Sequence, residues 1–269
     1  WSCPTDQMLR FPVATMIRFC HNHGLLQVND RPQWHTVAGG ARHYVERIVA
    51  EVPDARLNTP VRRVARDAAG VTVFTDHGSE RFDQLVLAAH SDQALALLER
   101  PTAAEAEVLG AIRYQPNRAV LHTDTSVLPQ RRAAWAAWNY ERAGAAEQES
   151  TRVCLHYLLN NLQPLPFSQP VVESLNPVRP IDPAKVLGEF EYSHPVFDLA
   201  AIAAQRRGPT RSFSIGTANA HMMSGLTKVI ATVSARGRKI SAPKKVSRVI
   251  PLAAARNRCQ NGRSVLSVR

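Results

Sequence analysis

Between Ile112 and His194, five alternating stretches follow one another: "NRAVLHTD", "AAWAAWNYE", "RVCLHYLLNN", "PVVESLNP" and "VLGEFEYSH". Pro, Asn and Gly separate them, and no helical pattern comes between. Parallel neighbours need a long crossover, so consecutive strands without one imply an antiparallel sheet. "HPVFDLAAIAAQRR" then returns the chain to a short helix.

A second β-rich stretch precedes the first. "TPVRRVARDAAGVTVFTDHGSERFDQLVLAAHSDQA", Thr59 to Ala94, reads as three strands joined by turns and a small-residue turn into a helix. "GVTVFTD" alternates with period 2, "HGSE" is a hairpin turn, and Ser91 is the expected helix cap with Asp92 in the first turn. Upstream, Trp1 to Val28 reads helical. Pro12 divides two short helices, and Gly24 sits where a C′ glycine stops the second. Gly39-Gly40 make a tight turn into a helix over residues 41–51, with Tyr44, Val45, Ile48 and Val49 expected inward.

Charge divides the chain sharply. Residues 206–269 hold 14 Lys and Arg and no Asp or Glu, whereas residues 1–205 hold 19 basic and 22 acidic residues. The body is mildly acidic and the tail purely basic. The chain opens on Trp1 without an initiator Met, which suggests a fragment. It shows no signal peptide, and no apolar run is long enough to suggest a membrane span. Cys3, Cys20, Cys154 and Cys259 are scattered with no CxxC, against a zinc site or disulfide framework and in keeping with a reducing, cytoplasmic setting.

"WSCPTDQMLRFPVATMIRFCHNHGLLQ", "RPQWHTVAGGARHYVERI", "VLGAIRYQPNRAVLHTD", "LHYLLNNLQPL" and "EFEYSHPVFD" resemble a bacterial group of FAD-dependent amine-oxidase-like oxidoreductases, also described as predicted NAD/FAD-binding proteins. The resemblance covers about residues 1–207. It implies an α+β / α/β fold: an antiparallel-sheet substrate domain with helices, plus an incomplete Rossmann-type FAD domain. Residues 1–36 are then the helical part of the substrate domain, 37–100 the middle piece of the FAD-binding domain, 101–205 the antiparallel-sheet substrate domain, and 206–269 a basic tail, disordered or out of frame. The chain departs from the family at both ends. It contains no GxGxxG, the loop whose helix N-terminus holds the pyrophosphate, and the resemblance stops after Arg207. A shifted reading frame and a lineage-specific tail both remain readings of that stop.

The resemblance also implies site residues. The valine of a "TPV" strand in this superfamily meets adenine through its backbone, which here is Val61. Ala88, Ala89 and His90 would pass near the cofactor, and Gly39 and Gly40 would let the backbone approach the flavin. Trp138, Tyr140 and His156 are candidates for the substrate pocket, with His21 beside them; sheet packing and ordinary surface positions are the competing readings. No catalytic residue is singled out, because hydride transfer to the flavin needs none. No metal site is expected: His21 and His23 point about 200° apart on a helix and cannot share an ion. Glu189 and Glu191 share a strand face that reads as solvated.

The expected function is thus that of a fragment of an FAD-dependent oxidoreductase, acting by hydride transfer on an apolar small molecule, with lipid-like substrates among the candidates, and inactive by itself. The alternative is a non-enzymatic binding module whose basic tail contacts nucleic acid or anionic lipid. The tail's diffuse charge and scarcity of aromatics make nucleic acid the less expected partner.

Overall fold

A computed structural model describes residues 3–142, 153–207, 213–217 and 229–234. The chain divides into two units, each with its own contacts. Among the described residues, one unit comprises 3–40 and 113–202, and the other 41–112 with 203–207, 213–217 and 229–234.

The first unit opens with helices α1 (Thr5–Met8) and α2 (Val13–Asn22). Pro12 is the residue before α2, where its fixed φ and missing N–H cost nothing. Gly24 ends α2 at φ +62°, with Leu25 N–H donating to Cys20 C=O and Gly24 N–H to His21 C=O. This paired closure suits a residue without a Cβ, and a Cβ here would stand 2.3 Å from Pro32.

Five strands follow: β5 (Tyr114–His122), β6 (Trp138–Glu141), β7 (Cys154–Leu158), β8 (Val172–Leu175) and β9 (Val186–Pro195). They form one antiparallel sheet in the order β6-β7-β8-β5-β9. Strand alternation sends Val120, His122, Cys154, His156, Leu158, Val172 and Ser174 to one buried face. Val127, Leu128, Trp135 and Ile181 pack on part of that face. "AAWAAWNYE" is a strand only from Trp138, because a 3-10 turn over Arg132–Ala134 occupies its front.

The second unit holds α3 (Arg42–Ala50), then β1 (Val61–Asp67), β2 (Gly70–Thr75), β3 (Gly78–Phe82) and β4 (Gln84–Ala89). Strands β1, β2 and β3 form an antiparallel meander. The Asp67 carboxylate closes its first turn by accepting from the N–H groups of Ala69 and Gly70. Strand β4 lies in another sheet, with β10 (Phe213–Thr217) and β11 (Val229–Ser234) from the basic stretch. The rest of that stretch lies outside the described residues.

Helices α4 (Ser91–Leu97) and α5 (Ala103–Gly110) join Val61, Val64, Val71, Val73 and Leu87 in this unit's core through Ala94, Leu97, Val108 and Leu109. Each buried aliphatic side chain contributes roughly 1.5–3 kcal/mol. A capping box starts α5: Thr102 Oγ1 accepts from Glu105 N–H at 3.2 Å, and Glu105 accepts from Thr102 N–H at 2.8 Å. Arg66 grips the same buried Glu105 carboxylate at 2.6 and 2.8 Å, tying β1 to α5. Helix α6 (Leu199–Arg206) closes the contiguous chain.

Two local expectations change. Ser91 is the first residue of α4 rather than its cap; His90 holds that position, and the Ser91 side chain is buried. The α3 face expected inward is also open, with Tyr44, Ile48 and Val49 exposed. Periodicity marks an apolar face but does not say what covers it.

Candidate functional site

Register places two contrasting surfaces on opposite sides of the five-stranded sheet. One row crosses all five strands: Trp138, Tyr157, Glu173, Leu121 and Gly188. The neighbouring row is Tyr140, Leu155, Leu175, Ala119 and Phe190. Trp138 and Tyr140 are half exposed, and the Trp138 ring meets Tyr157 edge to face with centroids 6.3 Å apart. Phe190 lies over Gly188, where a Cβ would stand 3.1 Å from its ring, and Phe190 stacks on Tyr192.

Glu173 is the one acid in these two rows. Its carboxylate forms no hydrogen bond or ion pair among the described residues, and burial raises its pKa. A carboxyl in such a setting holds its proton more readily and turns from acceptor to donor.

The opposite face carries a chain of hydrogen bonds through buried groups. Asp124 N–H donates to His122 Nδ1 at 3.1 Å, which leaves the neutral ring's proton on Nε2. His122 Nε2–H then donates to Ser174 Oγ at 2.7 Å, Ser174 O–H to His156 Nδ1 at 2.6 Å, and His156 Nε2–H to Glu141 Oε2 at 2.8 Å. One fixed backbone donor thus sets the direction of the whole chain. Burial lowers the pKa of both histidines, more than the nearby Asp124 and Glu141 carboxylates raise it, and so favours the neutral rings this chain requires.

Both ends are anchored. Arg179 Nε pairs with Glu141 Oε1 at 2.5 Å. At Asp124, burial pushes the pKa up, but the Asp182 and Ser126 N–H groups and the Lys185 ammonium hold it down to about 2. Cys154 Sγ lies 3.5 Å from His156 Nε2. Burial raises this thiol to about 11, against the pull of the Val178 N–H.

The residues anticipated from sequence are therefore divided. Trp138 and Tyr140 share the aromatic face, whereas His156 is buried on the other. His21 is exposed near the end of α2. Glu189 and Glu191 are exposed, and Glu189 pairs with Arg118. Glu173, His122 and Ser174 were missed. The lone acid in the apolar run "VVESL" was the available signal for Glu173, but nothing local shows that His122 and Ser174, 52 residues apart, meet.

In the second unit, Val61 begins β1, an edge strand of its sheet, with its side chain buried in the core. Its partner is Thr75 on β2, while the outer edge of β1 is closed farther along by Glu99 N–H donating to Val64 C=O at 2.9 Å. Ala89 is buried and His90 holds the position just before α4. Gly39 and Gly40 adopt φ +75° and +93°, and a Cβ on Gly40 would meet nothing within 4 Å. A cleft of about 270 Å³ beside β2 and β3 is lined by Arg56, Thr59, Val73, Thr75, His77 and Glu80, among others. Arg56 is held there by Asp54 and Glu80.

A strand edge with its side chain packed inward fits backbone recognition of an adenine. The chain's sequence contains no glycine-rich phosphate loop. The residues present thus fit the adenine end of a dinucleotide cofactor, not the whole of one.

The model of one protein family, flavin-containing amine oxidoreductase, matches residues 6–142, just over half the chain. FAD is the cofactor of that family. No curated protein sequence matches. Among solved structures, a fatty acid isomerase from P. acnes that produces CLA superposes with a TM-score of 0.41 at 13% identity, covering 62% of this chain and 43% of that one. A putrescine oxidase redesigned for cofactor binding gives 0.36 at 14% identity, covering 51% of this chain and 29% of that one. The chain thus spans less than half the length of either, and overlaps this loose carry no functional argument. Among the described residues, no helix is long and apolar enough to cross a membrane.

Proposed function

The chain belongs to the flavin-containing amine oxidoreductases, and from that premise we propose that it is a portion of an FAD-dependent oxidoreductase whose five-stranded sheet forms a wall of the substrate site. The observation that carries this reading is the row Trp138–Tyr157–Glu173–Leu121–Gly188, an aromatic and aliphatic surface with one desolvated carboxyl at its centre.

Trp138, Tyr157 and Phe190 bind the apolar body of a substrate and keep water from it. Glu173 orients the substrate through its one polar group. With its proton retained it donates a hydrogen bond; ionised, it accepts one. The Gly188 backbone lets the Phe190 ring lie flat on the sheet, which sets the depth of the wall. In the other unit, the edge of β1 at Val61 takes the adenine; the turn at Gly39 and Gly40, in the first unit, leaves room for a ligand. The chemistry that FAD supplies when bound is acceptance of a hydride from a substrate carbon.

The test is flavin retention. The 269-residue chain and a version extended by a GxGxxG-containing N-terminal segment are purified, desalted and read at the flavin absorbance band. Flavin held stoichiometrically by the extended chain alone supports the proposal. Flavin held by neither overturns it, and stoichiometric flavin in the chain as given overturns its status as a portion.

A further inference from the structure

We propose that Glu141, Cys154 and His156 form a binding site for a zinc-class divalent cation on the buried face of the five-stranded sheet. One oxygen, one sulfur and one nitrogen ligand atom from these residues lie within 4.8 Å of one another. Imidazole, thiolate and carboxylate together are a donor set suited to zinc. The sheet fixes the frame: Glu141 pairs directly with Cys154, and His156 is two residues along β7 on the same face.

The spacing is close to what a bound ion needs. Ligand bonds of about 2.0–2.3 Å at tetrahedral angles put donor atoms roughly 3.3–3.8 Å apart. Sγ and His156 Nε2 are already 3.5 Å apart. Glu141 Oε2, now 2.8 Å from the same nitrogen, would have to retreat by about half an ångström. Glu141 is the most exposed of the three, and Arg179 holds only its other oxygen.

The surroundings are those of an oriented ligand. His156 presents Nε2 to the cluster while Nδ1 is held by Ser174 Oγ at 2.6 Å. A hydrogen-bond partner on the nitrogen away from the ion fixes the ring and its tautomer in metal sites. Burial keeps the free Cys154 thiol protonated; the Val178 N–H pulls the other way, toward the thiolate that a bound cation would take. Binding releases the thiol proton to solvent. The imidazole keeps one proton but moves it from Nε2 to Nδ1, where the Ser174 oxygen accepts it; the serine hydroxyl accepts from both rings, as its two lone pairs allow.

The site is tested on the metal-free full chain by titration with Co²⁺, followed by displacement with Zn²⁺. The expected result is one Co²⁺ per chain, with a thiolate-to-cobalt charge-transfer band and tetrahedral visible bands that Zn²⁺ abolishes. Cys154→Ser loses the charge-transfer band, Cys20→Ser keeps it, and Glu141→Gln weakens binding at least about tenfold with unchanged circular dichroism. X-ray absorption of the zinc-loaded wild-type chain, which needs no variant to fold, shows a single sulfur ligand with nitrogen and oxygen ligands. No charge-transfer band at saturating Co²⁺, its survival in Cys154→Ser, or a zinc shell with no sulfur or several would overturn the proposal. None of these readouts depends on flavin.

Discussion

Ser174→Ala probes the buried hydrogen-bond chain at its narrowest point. Among the described residues, the serine hydroxyl alone joins His122 Nε2, at 2.7 Å, to His156 Nδ1, at 2.6 Å. Both rings are essentially inaccessible, at 0% and 1% exposed, so neither nitrogen has water to fall back on. An unsatisfied buried polar group costs about 1–3 kcal/mol, and two partly relaxed ones therefore cost about 2–4 kcal/mol together. The assay is urea unfolding followed by tryptophan fluorescence, because Trp34, Trp135 and Trp138 belong to the unit that contains this sheet. With a slope of about 1–3 kcal/mol per molar urea, the midpoint falls by roughly 1–2 M. Ser174→Cys keeps volume and a weak donor and acceptor, so its loss falls between wild type and alanine. A Ser174→Ala loss below about 0.5 kcal/mol refutes the reasoning, since the rings would then not depend on the hydroxyl.

Glu105→Ala removes a carboxylate that holds Arg66 and caps α5, and it lowers stability by about 2–4 kcal/mol, read as faster hydrogen exchange across Val71–Val73. Asp124 titrates at about 2 when folded against 3.8 ordinarily, so its contribution is present above pH 4 and lost as pH falls toward 2; it is worth about 2 kcal/mol, and Asp124→Asn flattens that limb of the acid unfolding curve. Gly188→Ala drives a methyl against the Phe190 ring, costing about 1–2 kcal/mol and moving the ring's NMR resonances. Glu173→Gln abolishes the carboxyl titration of this face above the ordinary carboxylate range, seen as a loss of pH-dependent shifts at Tyr157 and Leu121 in two-dimensional NMR.

The antiparallel sheet was legible because its strands announce themselves by alternation, turn residues and the lack of intervening helices. Pro12 and Gly24 likewise marked real helix boundaries, since each acts through its own backbone chemistry. Helix α5 was overlooked in "TAAEAEVLG", where alanines blur the apolar stripe, although Thr102 and Glu105 spell its cap. Register was out of reach. Alternation says that His156 and Tyr157 face opposite ways, but only pairing with Ser174, and through it with His122, shows which of the two enters the buried chain. The aromatic candidates Trp138 and Tyr140 were visible as residues, yet the acid on the same face comes from a strand two places away in the sheet.

The most direct measurement is a titration of the isotope-labelled full chain with FAD, followed amide by amide in two-dimensional NMR. The account predicts weak, saturable shifts concentrated on Val61 to Val64, the adenine-binding edge, and on the open Gly39–Gly40 turn. Amides that stay still there at millimolar FAD, or that move only elsewhere, would contradict the assignment of β1 to the cofactor.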